Sequence, residues 1–174
     1  MRVRNVHERE LCATPQQVGT LIDSLASLDD LLWPKKLWPR MKFDRPMGVG
    51  AVGGHGPIGY VVKSYSPGRA VEFRFTKPKG FRGYHRYEIV SSSTPGCRLR
   101  HTLEMTTHGV AVLSWPLLFR PMHDALIEDS LDAAETSVGH VPTPQPWSVW
   151  VRLLRRLASR RRERTANGSS QAGR

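Results

Sequence analysis

The sequence predicts an α+β fold: an antiparallel sheet with one face wet and the other covered by a long C-terminal helix. Three observations carry this. Residues 58–107 alternate with a period of two and are broken only by short turns. A helical pattern follows from about Val112 to Val138. A helix-start signal comes directly after the first strand-like stretch, in Thr14-Pro15-Gln16-Gln17.

In chain order, residues 2–12 are poor in glycine and proline and carry Val3, Val6 and Leu11, which suits a first strand. Thr14 can cap a helix with Pro15 at its first position and Gln17 closing a capping box. Val18, Leu21, Ile22 and Leu25 then fall on one face. A second short helix is expected from Ser27, with Asp29 and Asp30 in its first turn and Pro34 as its stop. Trp33 to Pro39 reads as a loop whose tryptophans, Trp33 and Trp38, either lid the core or form the mouth of a cavity.

Six of the fifteen glycines lie between Gly48 and Gly59. Gly48, Gly50 and Gly53 spell a dinucleotide-binding fingerprint, which needs a strand running in and a helix opening from it. Gly54-His55-Gly56-Pro57 cannot start that helix, so the nucleotide reading is rejected. The stretch reads instead as a glycine-rich strand and bend, with the edge of the sheet curling towards the long helix and His55 projecting there.

Beyond it, Ile58, Tyr60 and Val62 share one strand face, and Val71, Phe73 and Phe75 share another, alternating with Glu72, Arg74 and Thr76. In residues 82–90 the inward parity is Gly83, His85, Tyr87 and Ile89. In residues 97–107 it is Cys97, Leu99, His101, Leu103, Met105 and Thr107. A turn centred near Thr94 places Tyr87 opposite His101 and His85 diagonal to it. On the long helix, Trp115, Phe119, Met122, Leu126 and Ala133 fall in one arc, with His123 and Ser130 inside it and Asp129 at its rim. Arg120, Asp124, Glu128, Asp132 and Glu135 lie opposite. Pro121 should kink this helix or mark its true start, and Gly139 should cap it.

Charge is uneven. The chain is +11, but Trp147 to Arg174 holds eight arginines against Glu163, leaving only +4 for residues 1–146. Basicity therefore says nothing of nucleic acid at the folded body, and Arg160-Arg161-Arg162 comes with no aromatic, base-reading scaffold. Pro142, Pro144 and Pro146 form a linker over 141–146. Residues 147–164 form a basic amphipathic helix, and 165–174 read as disordered. That helix suits an anionic membrane surface, its own domain, or solvent. Two cysteines, Cys12 and Cys97, make no disulfide framework. With no signal-like or spanning apolar run, the expectation is a cytoplasmic protein, membrane-peripheral if the tail binds lipid.

The order of elements resembles the helix-grip fold of the START-like (SRPBCC) superfamily, which includes polyketide cyclase/dehydrase-like and lipid-transfer proteins. The likeness covers residues 2–139. Lys42-Phe43-Asp44-Arg45-Pro46 through Gly53-Gly54-His55-Gly56-Pro57, with Phe73-Arg74-Phe75 and Gly80-Phe81, resembles a bacterial branch of it. The resemblance implies a helix-grip domain over 1–140 with an apolar cavity between sheet and helix that takes a hydrophobic small molecule or lipid. No catalytic signature is shared across the superfamily, so none is carried over.

Under that reading the cavity is lined from the sheet by Tyr60, Phe73, Phe75, His85, Tyr87, Leu99, His101 and Leu103. From the helix it is lined by Phe119, Met122, His123, Leu126 and Ser130, with Trp33, Trp38, Gly53, Gly54 and His55 at the mouth. His85, His101, His123 and Asp129 are the candidates for general acid/base chemistry of a cyclase or dehydratase kind, with Tyr87 or Tyr60 as enolate donors. The bland alternative is that these are hydrogen-bonded wall groups. Cys97 and His101 stand about 13 Å apart along one strand, too far for a nucleophile pair. A three-histidine metal site has no spacing motif, so neither metal nor cofactor is expected.

Overall fold

The computed structural model describes residues 1–91 and 96–159. Among them, seven strands form one antiparallel sheet: β1 Arg2–Leu11, β2 Lys42–Phe43, β3 Val52–His55, β4 Ile58–Ser66, β5 Ala70–Lys77, β6 Phe81–Val90 and β7 Cys97–Thr107. Their order is β1-β7-β6-β5-β4-β3-β2. Strands β2 to β7 form a meander, and the first strand returns to pair with the last, Val3 opposite Met105 and Leu11 opposite Cys97. The period of two sorts the side chains as expected, with Cys97, Leu99, His101, Leu103, Met105 and Thr107 buried on β7, and Val71 and Phe73 on β5.

Helix α1, Pro15–Asp23, starts on a complete capping box: Thr14 Oγ1 accepts the Gln17 N–H at 3.2 Å, and the Gln17 side chain accepts the Thr14 N–H at 2.9 Å. It buries Val18, Leu21 and Ile22 against the sheet. The expected second helix is absent, because Asp30 organises turns instead. Its carboxylate accepts the backbone N–H groups of Ala26, Leu32 and Trp33 at 2.7–3.0 Å, a local alternative to helical bonding.

The long helical segment runs from Ala111 to Ser137 in three parts: α2 Ala111–Ser114, a π turn Trp115–Phe119, and α3 Arg120–Ser137. The expectation at Pro121 is met by this wide turn. Proline has no N–H to give to residue 117, and the freed Leu117 carbonyl accepts the Trp150 indole N–H at 2.8 Å. Gly139, at φ 87°, ends the helix, and His140 N–H reaches the Glu135 carbonyl at 2.9 Å. The buried face of α3 is Leu126, Ile127, Ser130, Leu131, Asp132 and Ala134, rotated from the expected arc. The four acids expected opposite the apolar arc, Asp124, Glu128, Asp132 and Glu135, all reach side chains of β1.

The main core joins α1, the loop tryptophans, the inner sheet face and α3. A second cluster gathers Val3, Phe81, Leu103, Met105, Ala111 and Trp115 under α2. Residues 141–148 have no regular structure, and 149–159 are helical. The expected helix 147–164 thus falls partly, and the tail 165–174 wholly, outside the described residues.

Candidate functional site

Pairing of β6 with β7 sets Tyr87 opposite His101 and His85 opposite Leu103. Both histidines therefore point to the covered face. His85 Nδ1 lies 3.3 Å from His101 Nε2. His85 is sandwiched between Phe73 and Phe75, with ring centroids at 4.9 and 5.1 Å, and Tyr60 meets it edge-on at 4.9 Å. On the other side His101 meets Tyr87 at 4.7 Å and His123 of α3 at 5.1 Å. His123 in turn faces Trp115 at 5.8 Å and His7 at 5.9 Å. His55 extends the row at its far end, with Nδ1 3.2 Å from the Tyr60 hydroxyl. Five of the seven histidines, His55, His85, His101, His123 and His7, thus run through the interior from one edge of the sheet to the other.

Burial decides their charge. Removing an imidazolium from water is costly, so the pKa values of His85 and His101 fall well below the ordinary 6.5, and that of His55 falls to about 3. Burial lowers His123 as well, against the pull of Asp124. His7 goes the other way: burial opposes its charge, but hydrogen bonds to Asp124 and Glu128 outweigh that and raise it. Its Nδ1 is 2.6 Å from Glu128 and its Nε2 3.3 Å from Asp124. The row is therefore neutral inside and cationic at its β1 end.

Three ring nitrogens in the middle of the row have no hydrogen-bond partner: His85 Nε2, His101 Nδ1 and His123 Nε2. A buried polar atom left unpaired costs about 1–3 kcal/mol, so three of them in one row demand an account. The phenols do not supply it. Ser130 gives its single proton to the Leu32 carbonyl at 3.0 Å, so Tyr87 donates to Ser130 Oγ at 2.9 Å. His123 Nδ1 sits 3.4 Å from Asp124 Oδ1, which places the proton on Nδ1 and leaves Nε2 as a base facing inward.

His7, His123 and Asp124 are the residues among those described that could hold a cation, with ligand atoms within 4.8 Å of one another. Their ring nitrogens are already paired, except for His123 Nε2. Asp124 Oδ1 also accepts the Asn5 amide at 2.9 Å, and a protonated His7 satisfies both of its acids.

The remaining expectations divide. Leu99 and Leu126 are buried in the main core, with Met122 packed on it. Leu103 belongs to the second cluster, where Phe75 and Phe119 pack. Asp129 does not join the histidines. It accepts the indole N–H of Trp38 at 2.6 Å and of Trp147 at 3.0 Å, on the far side of α3. Trp33 and Trp38 are both buried, so they lid the core, and Trp33 covers His55 at 4.7 Å. An open groove of about 750 Å³ lies outside this lid, between Trp38, Arg40 and Lys42 and the glycine hairpin Gly53–Gly59. The glycines are needed for strand approach rather than for approach to the long helix. A Cβ on Gly53 would stand 2.0 Å from the Lys42 carbonyl oxygen, and one on Gly54 2.0 Å from that of Ile58. His55 packs between Trp33 and Tyr60 and also lines this groove.

Sequence reasoning did not find His7 and Asp124. The signal was present: Val3 and Leu11 share a parity with Asn5, His7 and Arg9, and Asp124, Glu128, Asp132 and Glu135 repeat along α3. In the structure Arg9 bonds Glu128 and Asp132 at 3.0 Å each and also pairs with Glu135.

The C-terminal helix is docked on the domain. The Arg155 guanidinium lies between the Trp38 and Trp147 rings, 4.3 and 4.0 Å from their centroids, and bonds the Leu37 carbonyl.

No family model matches the sequence, nor does any curated protein. Solved structures do match. Norcoclaurine synthase from Thalictrum flavum aligns with a TM-score of 0.61 at 15% identity, over 80% of this chain and 88% of that one. A protein from Thermobifida fusca solved by NMR aligns at 0.59 and 15%, over 83% and 99%. The di-domain ARO/CYC StfQ of the steffimycin biosynthetic pathway aligns at 0.59 and 13%, over 79% of this chain and 51% of that one. The chain has the helix-grip fold that these structures share, with the sheet laid against a long C-terminal helix.

Proposed function

We propose that this protein binds a hydrophobic small molecule or lipid between the sheet and the long helix α3, and that the molecule carries a hydroxyl or carbonyl oxygen. The observation behind this is the run of unpartnered nitrogens on His85, His101 and His123, set among Phe73, Phe75, Tyr60 and Trp115. Aromatic walls suit an apolar body, and a free imidazole nitrogen can donate to or accept from an oxygen of the ligand. The fold adds support, since one similar structure is norcoclaurine synthase in complex with a transition-state analogue and another is an ARO/CYC. The rings touch one another in this structure, so a ligand enters by parting them. Native mass spectrometry of protein purified from its own host tests this. The expected result is a retained small molecule, absent from His101→Phe although that variant folds. A ligand-free native protein whose melting temperature no hydrophobic ligand raises would overturn it.

A second reading, catalysis of a cyclase or dehydratase kind, is favoured by one feature: Asp124 holds His123 Nδ1 and leaves Nε2 as an inward base. The Tyr60 phenol would donate to the developing enolate oxygen, since the Tyr87 proton is held by Ser130. NMR of deuterium exchange at the acidic carbon of an aromatic diketone should show protein-dependent exchange that is lost in His123→Gln. Exchange equal to the buffer rate removes this reading.

A further inference from the structure

Among the described residues, eight of the fifteen large apolar side chains left in solvent fall on two stretches of the chain. Val110 and Leu113 of the α2 end, 82% and 68% exposed, continue into Leu117 and Leu118 of the π turn, and Val149, Trp150, Leu153 and Leu157 line the C-terminal helix. On that helix, at about 100° per residue, Val151, Leu154 and Arg155 form the docked side, while Trp150, Leu153 and Leu157 form a separate apolar stripe beside it. The Trp150 indole, bonded to the carbonyl that Pro121 leaves free, ties this stripe to the π turn. The two stripes therefore meet at Leu117 and Trp150. Exposed apolar patches of this kind mark interaction sites.

We propose that this joint surface docks the protein on an anionic lipid bilayer. Charge selects the occupant. Arg120, Arg152 and Arg156 are exposed at its margins, and the sequence continues into Arg160-Arg161-Arg162. A second copy would bring the same basic margin face to face with itself on a chain of net charge +11. Anionic headgroups match the margin, the leucines enter the acyl boundary, and a half-exposed Trp150 sits at the level both require. No helix among the described residues is long and apolar enough to cross a membrane, so contact would be at the surface. The proposal stands apart from the ligand reading, and neither depends on the other.

Flotation of the full chain with vesicles of phosphatidylcholine alone, or mixed with phosphatidylglycerol, tests it at low and high salt. The expected result is binding to the mixed vesicles only, weakened by salt. Binding should fall about tenfold or more in the double variant Leu117→Glu/Leu153→Glu, with its circular dichroism unchanged. If Leu117→Glu/Leu153→Glu misfolds, Leu113→Gln/Leu157→Gln serves in its place. Equal binding by wild type and folded variant would overturn the proposal by assigning adhesion to the arginines alone, as would absence of binding to the mixed vesicles. A sedimentation-velocity dimer that the variant dissolves would overturn it in favour of a second copy.

Discussion

At one edge of the sheet, β1 lays Asn5, His7 and Arg9 against the carboxylates of α3; at the other, β2 and β3 lay glycines and aromatic rings against the Trp33–Pro39 loop. Of the two edges, the second is blunted against pairing with another chain by ending in a two-residue strand. They differ in what holds them. The β1 edge is fixed by ionised groups, four acids against His7 and Arg9. The β2 edge is fixed by volume and close approach, with Phe43 stacked on Phe73 at 5.9 Å and no Cβ tolerated at Gly53. One edge should answer to pH and salt, the other to side-chain size, and the histidine row spans the two.

Acid should have the largest effect. His55, His85, His101 and His123 have folded pKa values below the ordinary 6.5. Unfolding therefore takes up protons below that pH. Their share of stability is whole above about pH 6.5 and is lost on acidification, at up to about 1.4 kcal/mol per pH unit for each. His7 is raised, so its smaller share is whole below about 6.5 and lost as pH rises through its folded value. Urea midpoints measured from neutral to mildly acidic pH should fall steeply, and less steeply in His85→Phe. A flat profile would break the picture of a neutral row.

Gly53→Val sharpens the contrast at the β2 edge. Its Cβ meets backbone, which cannot give, so a loss of about 3 kcal/mol in chemical denaturation is expected, insensitive to salt. At the β1 edge, Arg9→Met leaves Glu128, Asp132 and Glu135 crowded without their cation. About 2–3 kcal/mol should be lost in the same assay, with part recovered in salt. Smallest is Arg155→Ala, which removes the cation from between two indoles. It should cost about 1 kcal/mol and show as faster proteolysis near residue 146, with the sheet untouched.

Much of this was legible in the sequence. Alternation in 71–76 and 97–107 sorted the inward residues, and the register needed to bring Tyr87 opposite His101 followed from a short turn. Local chemistry sufficed at Thr14 and Gly139 as well. The sequence misled where a local alternative to helical bonding was open, and it was silent where partners came from afar. Asp29 and Asp30 have the look of a helix start, yet Asp30 finds three backbone donors in its own loop and no helix forms. Asp129 lies near the histidines on a wheel, but two indoles from residues 38 and 147 take it elsewhere. His55 reads as exposed in a glycine stretch until Trp33 is folded over it.

The π turn carries a consequence for the phase of the whole helical segment. A turn of this kind holds one more residue than an α turn, so everything before it is shifted by about one position relative to everything after it. A single wheel drawn from 112 to 138 is therefore out of step with itself, which is why Ile127, Leu131 and Ala134 are inside where Ala133 was expected. The shift lets one continuous helix serve two cores, with Trp115 set into the cluster around Phe81 and Leu126 into the cluster around Leu99. Removing one residue between Trp115 and Phe119 would put both halves back in step. It would also turn one of the two clusters out to solvent.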